Sequence, residues 1–133
     1  MNVLSRIVAT HNNAQEKLLV YGNDWPTKDG TCVRDYIHVS DVAEAHRVSI
    51  DKNISDVFKV INIGTGKGHS VLELINIFEE ISNEKLNYEI VSRRPGDVSE
   101  IWANVSNSSK ILNWFPKRDI YDSVKSHLMF SKK

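Results

Sequence analysis

Hydrophobic residues recur at helical spacing in several segments of the chain. This spacing over residues 2–12, and again after the capping box Ser70-Val71-Leu72-Glu73, predicts two amphipathic helices. Three more helices are predicted: one after a cap at Ser40 or Asp41, one over residues 106–112, and one after a cap at Asp119.

Other segments alternate polar with apolar residues or form short apolar runs, which predicts strands over residues 17–21, 31–39, 58–63 and 87–91. The second of these strands places Val33, Ile37 and Val39 on one face and Arg34, Tyr36 and His38 on the other. The turn-forming residues between Gly22 and Gly30 predict a loop. Helices alternating with strands predict a single α/β (mixed α+β) domain over residues 1–133.

The composition excludes several classes of function. The 133 residues carry 17 basic and 17 acidic side chains, so the basic surplus expected of a nucleic-acid binder or of a protein that binds anionic membranes is missing. A lone cysteine, Cys32, rules out an intramolecular disulfide and a cysteine-ligated metal centre. No apolar run approaches the roughly 18 to 20 residues of a membrane span, and the first residues do not resemble a secretion signal. We therefore expect a soluble cytoplasmic protein.

Few side chains suggest metal binding or covalent catalysis. The five histidines include no pair at the i, i+4 spacing of a helical zinc site, and no Gly-x-Ser-x-Gly nucleophile motif occurs. We therefore predict no metal site and no catalytic residue within this chain.

A glycine-rich loop, Gly64-Thr65-Gly66-Lys67-Gly68, follows a predicted strand and precedes a predicted helix. Backbone amides in such a loop can hold a phosphate, but the spacing matches neither the P-loop nor the dinucleotide fingerprint. A tight turn between strand and helix is the favoured interpretation.

The segment Arg93-Arg94-Pro95-Gly96-Asp97 predicts phosphate contacts more strongly. Adjacent guanidinium groups can bind diphosphate oxygens in pairs, and Asp97 could accept a hydrogen bond from a ribose hydroxyl. The alternative is a solvated turn in which Arg94 pairs with Asp97. Arg34, on the polar face of its strand, is a second guanidinium that could meet Arg94 on a diphosphate.

The amino-acid sequences of four segments resemble those of the UDP-glucose 4-epimerase family, which belongs to the extended short-chain dehydrogenases/reductases. These segments are residues 20–43, residues 62–66 together with residues 70–73, residues 93–97 and Leu112-Asn113-Trp114-Phe115-Pro116. Other nucleotide-sugar epimerases and dehydratases share part of this pattern and are the alternative family. The resemblance implies the small carboxyl-terminal substrate-binding part of a Rossmann-type enzyme that interconverts UDP-glucose and UDP-galactose in galactose metabolism.

Position by position, the resemblance implies binding roles for several residues. Arg34 and Arg94 match the diphosphate pair, and Asp97 matches the carboxylate on the uridine ribose. The full set of implied substrate-binding residues is Asn2, Leu19, Tyr21, Arg34, Tyr36, Arg94, Asp97 and Ile101. Ile101 stands where many members have an aromatic residue beside the sugar, so the preferred hexose is left open.

The family's amino-terminal half, with its glycine-rich NAD fingerprint and its Tyr-x-x-x-Lys pair, has no match here. Tyr121 and Lys125 have the bare spacing, but no Rossmann unit precedes them. The chain begins beside Asn2, the first implied binding residue. We therefore expect that the isolated chain binds no NAD and is inactive, and that a separate Rossmann half or a homodimer completes the enzyme. The alternative is a non-catalytic module that binds nucleotide sugars.

Overall fold

The computed structural model describes residues 2–52 and 58–130. Within them lie four α-helices, five short strands and one π-helical turn. In chain order they are α1 (Val3–His11), β1 (Leu18–Tyr21), β2 (Val33–Arg34), α2 (Val39–Asp51), β3 (His69–Ser70), α3 (Val71–Ser82), β4 (Tyr88–Val91), β5 (Glu100–Ile101), the π-helical turn Ser108–Leu112 and α4 (Ile120–Phe130).

The strands form two small sheets. β1 pairs in parallel with β4, so that Leu18 lies opposite Tyr88 and Tyr21 lies opposite Val91. In the second sheet β2 lies in the middle, antiparallel to β3 and parallel to β5. Because β1 and β4 run in the same direction, the loops that follow them leave the same edge of the sheet. This edge carries the arginine segment predicted to bind phosphate.

The main core lies between α1, α3, α4 and β1. Its fully buried side chains include Ile7, Leu18, Leu74, Phe78 and Val124. Burial of large aliphatic and aromatic side chains supplies most of the stabilisation of such a core. A smaller cluster of Ala45, Leu112 and Trp114 lies beneath α2.

The predicted helix starts are confirmed at two capping residues. The Ser70 hydroxyl accepts a hydrogen bond from the Glu73 amide at 3.0 Å, and the Glu73 carboxylate accepts one from the Ser70 amide, also at 3.0 Å. The carboxylate of Asp119 accepts a bond from the Asp122 amide at 2.9 Å just before α4. Both pairs satisfy amides that the first turn of a helix leaves without partners.

The strand predicted over residues 31–39 is wrong in its length and in its faces. Only Val33–Arg34 pairs as a strand, Val39 is 76% exposed, and His38 is buried. The His38 imidazole, not Ser40 or Asp41, caps α2 by accepting the Ser40 amide at 3.0 Å. Asp41 cannot serve as that cap because its buried carboxylate accepts hydrogen bonds from the amides and guanidinium at residues 117–118.

The strand predicted over residues 58–63 is also wrong, since the structure forms neither strand nor helix there. Phe58 and Val60 are 82% and 63% exposed. An apolar run becomes a strand only when a neighbour pairs with its amides and carbonyls, and none of the described strands does so. The helix predicted over residues 106–112 consists largely of the π-helical turn Ser108–Leu112, which ends at Asn113 in a left-handed conformation with φ of 51°.

Candidate functional site

A cavity of about 290 Å³ lies between α1, β1, β2 and the turn at residues 94–97. Seven of the eight residues that the sequence singled out for substrate binding line it, although they are spread over nearly a hundred positions. They are Asn2, Leu19, Tyr21, Arg34, Tyr36, Arg94 and Asp97. The fold therefore brings these predicted residues to one place.

Two guanidinium groups meet at one carboxylate in this cavity. Arg94 Nη2 donates to Asp97 Oδ1 at 2.8 Å, and Arg34 Nη2 lies 3.7 Å from the same oxygen. The hydrogen bond to Asp97 raises the pKa of Arg94 above its ordinary value. The structure thus contains the pairing of Arg94 with Asp97 that was the alternative interpretation of the sequence, and it places Arg34 beside the same carboxylate. Whether both arginines meet on a diphosphate stays a prediction.

The local backbone explains how these side chains come together. The Asp97 amide donates to the Arg94 carbonyl at 3.2 Å, which closes a tight turn. Gly96 takes a φ of +87° within that turn, a value that glycine reaches without steric strain. Arg34 lies on β2. Its Nη1 donates to the Val33 carbonyl at 2.8 Å, which restrains one arm of the guanidinium group.

The adjacent arginines have different roles. The Arg94 guanidinium carbon lies 5.3 Å from the centre of the Tyr21 ring at the cavity wall. Arg93 points away to the loop after β1, where its Nε donates to Asp24 Oδ1 at 2.8 Å and its guanidinium carbon lies 4.1 Å from the Trp25 ring centre. Arg93 thus ties together the two loops that leave the sheet edge, while Arg94 faces the cavity.

Tyr36 lines the cavity and also packs against the main core. Burial raises the pKa of its phenol to about 12, an effect that the nearby positive charge of Arg34 only partly offsets. The phenol is therefore protonated at neutral pH and can donate a hydrogen bond, but it cannot act as a base there.

Ile101 is the one predicted site residue that does not line this cavity. It lies in an adjoining depression that shares Arg34 with the cavity and also includes Asn62 and Trp102. Ile101 is 57% exposed. The structure therefore places it beside the cavity rather than within it.

The glycine-rich loop is closed to a phosphate. The Asp35 carboxylate accepts hydrogen bonds from the backbone amides of Thr65 and Gly66, both at 3.0 Å, and from the Thr65 hydroxyl at 2.5 Å. A Cβ added at Gly64 would lie 2.6 Å from the same carboxylate. An internal anion thus occupies the amides that a bound phosphate would need, as expected for a structural turn.

Sequence reasoning missed several residues of the cavity wall, and among those that the structure describes Arg6 is the one charged residue. It lies one helical turn after Asn2 on α1, and both residues line the cavity. The i, i+4 spacing that places two residues on one helix face was the signal available in the sequence. Cys32 and Val71 also contribute to the wall.

Tyr121 and Lys125, which have the spacing of a catalytic pair, lie on α4 and do not line the cavity. The Tyr121 hydroxyl donates to Glu80 at 3.1 Å on the neighbouring helix. In the parts of the chain that the structure describes, no three histidine, cysteine or acidic side chains are grouped to hold a metal ion. None of the described helices is long and apolar enough to cross a membrane.

Comparison with known proteins gives consistent matches over the whole chain. The family model described as GDP-mannose 4,6 dehydratase matches residues 1–127. A UDP-glucose 4-epimerase of Yersinia enterocolitica is 43% identical over 131 residues, which make up 98% of this chain and 39% of the relative. A UDP-glucose 4-epimerase of Drosophila melanogaster is 43% identical over 122 residues, covering 90% of this chain and 35% of the relative.

Solved structures give the same result for the fold. The UDP-glucose 4-epimerase of Stenotrophomonas maltophila, with bound NAD and formylated UDP-arabinopyranose, superposes with a TM-score of 0.92 at 37% identity. That of Bifidobacterium longum, in complex with NAD+ and UDP, gives 0.93 at 37% identity. Each match covers 98% of this chain and 39% of the solved chain. The predicted mixed α/β fold and the resemblance of the sequence motifs are confirmed, and the chain spans about two-fifths of the length of these relatives.

Proposed function

Since the chain belongs to the GDP-mannose 4,6 dehydratase family, we propose that it is the UDP-hexose-binding part of a UDP-glucose 4-epimerase. The observation that carries this proposal is the convergence of Arg34 and Arg94 on a single carboxylate in a cavity of about 290 Å³. A diphosphate offers each guanidinium fork a pair of anionic oxygens, which is the geometry that arginine binds best.

In the proposed complex the diphosphate takes the place of Asp97 as the partner of both arginines. Asp97, released from them, accepts a hydrogen bond from a ribose hydroxyl of the nucleotide. Tyr21 and the backbone at Leu19 form the wall against the uracil, and Asn2 reaches the diphosphate from the start of α1. The protonated Tyr36 phenol supplies a further hydrogen-bond donor to the bound substrate.

We propose that the described residues of this chain do not bind NAD by themselves. Its glycine-rich loop directs the Thr65 and Gly66 amides at Asp35 instead of at a dinucleotide. NAD is bound in both of the solved relatives. In a complete enzyme of the family it would supply hydride transfer. We therefore propose that this chain binds and orients the UDP-sugar and does not epimerise it alone. A Rossmann half, or a homodimer that includes one, would complete the cytoplasmic enzyme of galactose metabolism.

Ile101 is proposed to lie near the hexose, because its depression adjoins the cavity at Arg34. A branched aliphatic side chain there leaves more room than an aromatic ring would. The preference among UDP-hexoses would then depend on this position.

Titration calorimetry with UDP-glucose tests the proposal. The wild-type chain should show saturable binding, and Arg34→Ala and Arg94→Ala should each weaken it at least tenfold. Arg47→Ala is a matched control, because Arg47 pairs with Glu44 and Asp51 on the exposed side of α2. Absence of binding by a folded wild-type chain would contradict the proposal. Epimerisation by the purified chain with added NAD would refute its predicted inactivity.

A further inference from the structure

We propose that Arg6 is a third diphosphate-binding side chain, in addition to Arg34 and Arg94. This inference rests on the proposed function and deepens it. Arg6 is not one of the residues that the sequence motifs connect with substrate. Its place in the cavity wall follows only from the path of α1 beside β1.

The charge of the cavity wall supports a diphosphate contact by Arg6. Its ionised side chains are three guanidinium groups, from Arg6, Arg34 and Arg94, and one carboxylate, from Asp97. They leave two net positive charges. A diphosphate diester carries about two negative charges at neutral pH, so the charges of wall and ligand balance. Without Arg6 the wall would carry a single net positive charge. Arg6 therefore completes the electrostatic match to a nucleotide sugar.

Among the described residues, none forms an ion pair with Arg6 that would compete with a bound anion. Arg34 and Arg94 share Asp97, and Arg93 is engaged by Asp24. In the described parts of the chain the Arg6 guanidinium makes no ion pair. A partly buried arginine without a carboxylate partner gains more from a bound anion than one that is already neutralised.

The helix itself fixes where Arg6 can reach. The Arg6 amide donates to the Asn2 carbonyl at 3.2 Å, so the two residues are stacked one turn apart on α1. The Asn2 side chain is held in turn by the Ser5 amide at 2.8 Å. Arg6 therefore lines the cavity from a helix whose first turn is held by hydrogen bonds, and the turn that carries Arg94 contributes to the same wall.

The test compares UDP with uridine, which lacks the diphosphate. Arg6→Gln should weaken UDP binding about tenfold and leave uridine binding unchanged, because only the diphosphate contact is lost. Arg6→Lys keeps the positive charge and should stay within about threefold of the wild type for UDP. Arg47→Gln is the control for removing an arginine from an exposed helix face.

Each outcome separates this inference from the proposed function. If Arg34→Gln weakens UDP binding and Arg6→Gln does not, Arg6 has no role while the nucleotide-sugar site stands. If Arg6→Gln weakens UDP and uridine equally, its effect is not on the diphosphate and the inference is wrong. If the folded wild-type chain binds neither compound, the proposed function fails and the inference fails with it.

Discussion

Asp35 holds Thr65 through both the backbone amide and the side-chain hydroxyl, at 3.0 and 2.5 Å, across 30 positions of sequence. The same carboxylate accepts the amides of Gly66 and Ala103, at 3.0 and 3.2 Å. One side chain thereby joins β2 to the glycine-rich loop and to the segment after β5. This explains why a loop that looks suited to phosphate is a structural element here.

Replacing Asp35 should destabilise the fold. Asp35→Ala leaves three backbone amides and one hydroxyl without their acceptor, and we expect a loss of about 2 to 4 kcal/mol in the free energy of unfolding. Urea denaturation followed by circular dichroism measures it. Asp51→Ala, which removes only an exposed ion pair on α2, should change stability by less than about 0.5 kcal/mol. Equal effects of the two variants would contradict the structural role of Asp35.

Asp41 should be a second polar position that stability depends on. Its carboxylate is 2% exposed and accepts hydrogen bonds from Arg118 Nη1 at 2.6 Å and from the amides of Lys117 and Arg118. Asp41→Ala removes the acceptor of all three, so we expect a loss of about 2 to 4 kcal/mol. Thermal melting of Asp41→Ala checks this, with Glu44→Ala as the control. Glu44 lies one helical turn later on α2, in an exposed ion pair. A midpoint for Asp41→Ala within a degree of wild type would argue against it.

Two glycines with similar backbone angles should tolerate substitution differently. Gly30 and Gly96 have φ of +80° and +87°, so alanine is strained at both. A Cβ at Gly30 would lie 2.0 Å from the Asn23 carbonyl oxygen, whereas nothing lies within 4 Å of one at Gly96. We expect Gly96→Ala to cost about 1 kcal/mol and Gly30→Ala at least about 3 kcal/mol, as measured by chemical denaturation. The reverse order would show that Gly30 does not lie against the Asn23 carbonyl as the structure has it.

The partly buried phenol of Tyr36 predicts a loss of stability at high pH. Its pKa is raised from 10.0 to about 12 in the folded chain, so above pH 10 the unfolded chain releases a proton that the folded chain retains. The stabilisation is thus complete below pH 10 and declines as the pH rises towards 12, by on the order of 2 kcal/mol.

Tyr36→Phe removes this titration and should flatten the decline of unfolding free energy over that interval. Tyr88→Phe, at an exposed position of β4, serves as the control and should leave the decline in place. An unchanged pH dependence in Tyr36→Phe would mean that the phenol is not partly buried as the structure shows.

The parts of the fold that local chemistry determines were predictable from the sequence. The Ser70 and Asp119 caps, the helix after each of them, and the strands at residues 18–21 and 88–91 depend on side chains close in sequence. The segment at residues 58–63 was not predictable, because strand formation requires a partner that the local pattern does not reveal. His38 was placed on the wrong face because its buried imidazole also contacts Ser126, 88 residues away, which the local pattern does not reveal.

In the candidate site, too, the features that depend on local residue type were predictable and those that depend on distant contacts were not. The segment from Arg93 to Asp97 indicated anion binding by residue type alone, and residue type predicted one common role for the two arginines. Only the structure separates them, since Arg93 pairs with Asp24 and stacks on Trp25 while Arg94 faces the cavity. Arg6 escaped notice because an isolated arginine on an amphipathic helix is usually solvent-exposed. The local pattern of α1 does not reveal that β1 lies beside it.

The central claim is that the arginine cavity, and not the glycine-rich loop, binds the nucleotide sugar. Titration of the isotope-labelled chain with UDP-glucose, followed by the backbone amide resonances in NMR, tests it most directly. The account predicts saturable shifts at Tyr21, Arg34 and Arg94, with Thr65 and Gly66 unaffected. Shifts concentrated at Thr65 and Gly66, or no shift at any of the five in a folded chain, would contradict it.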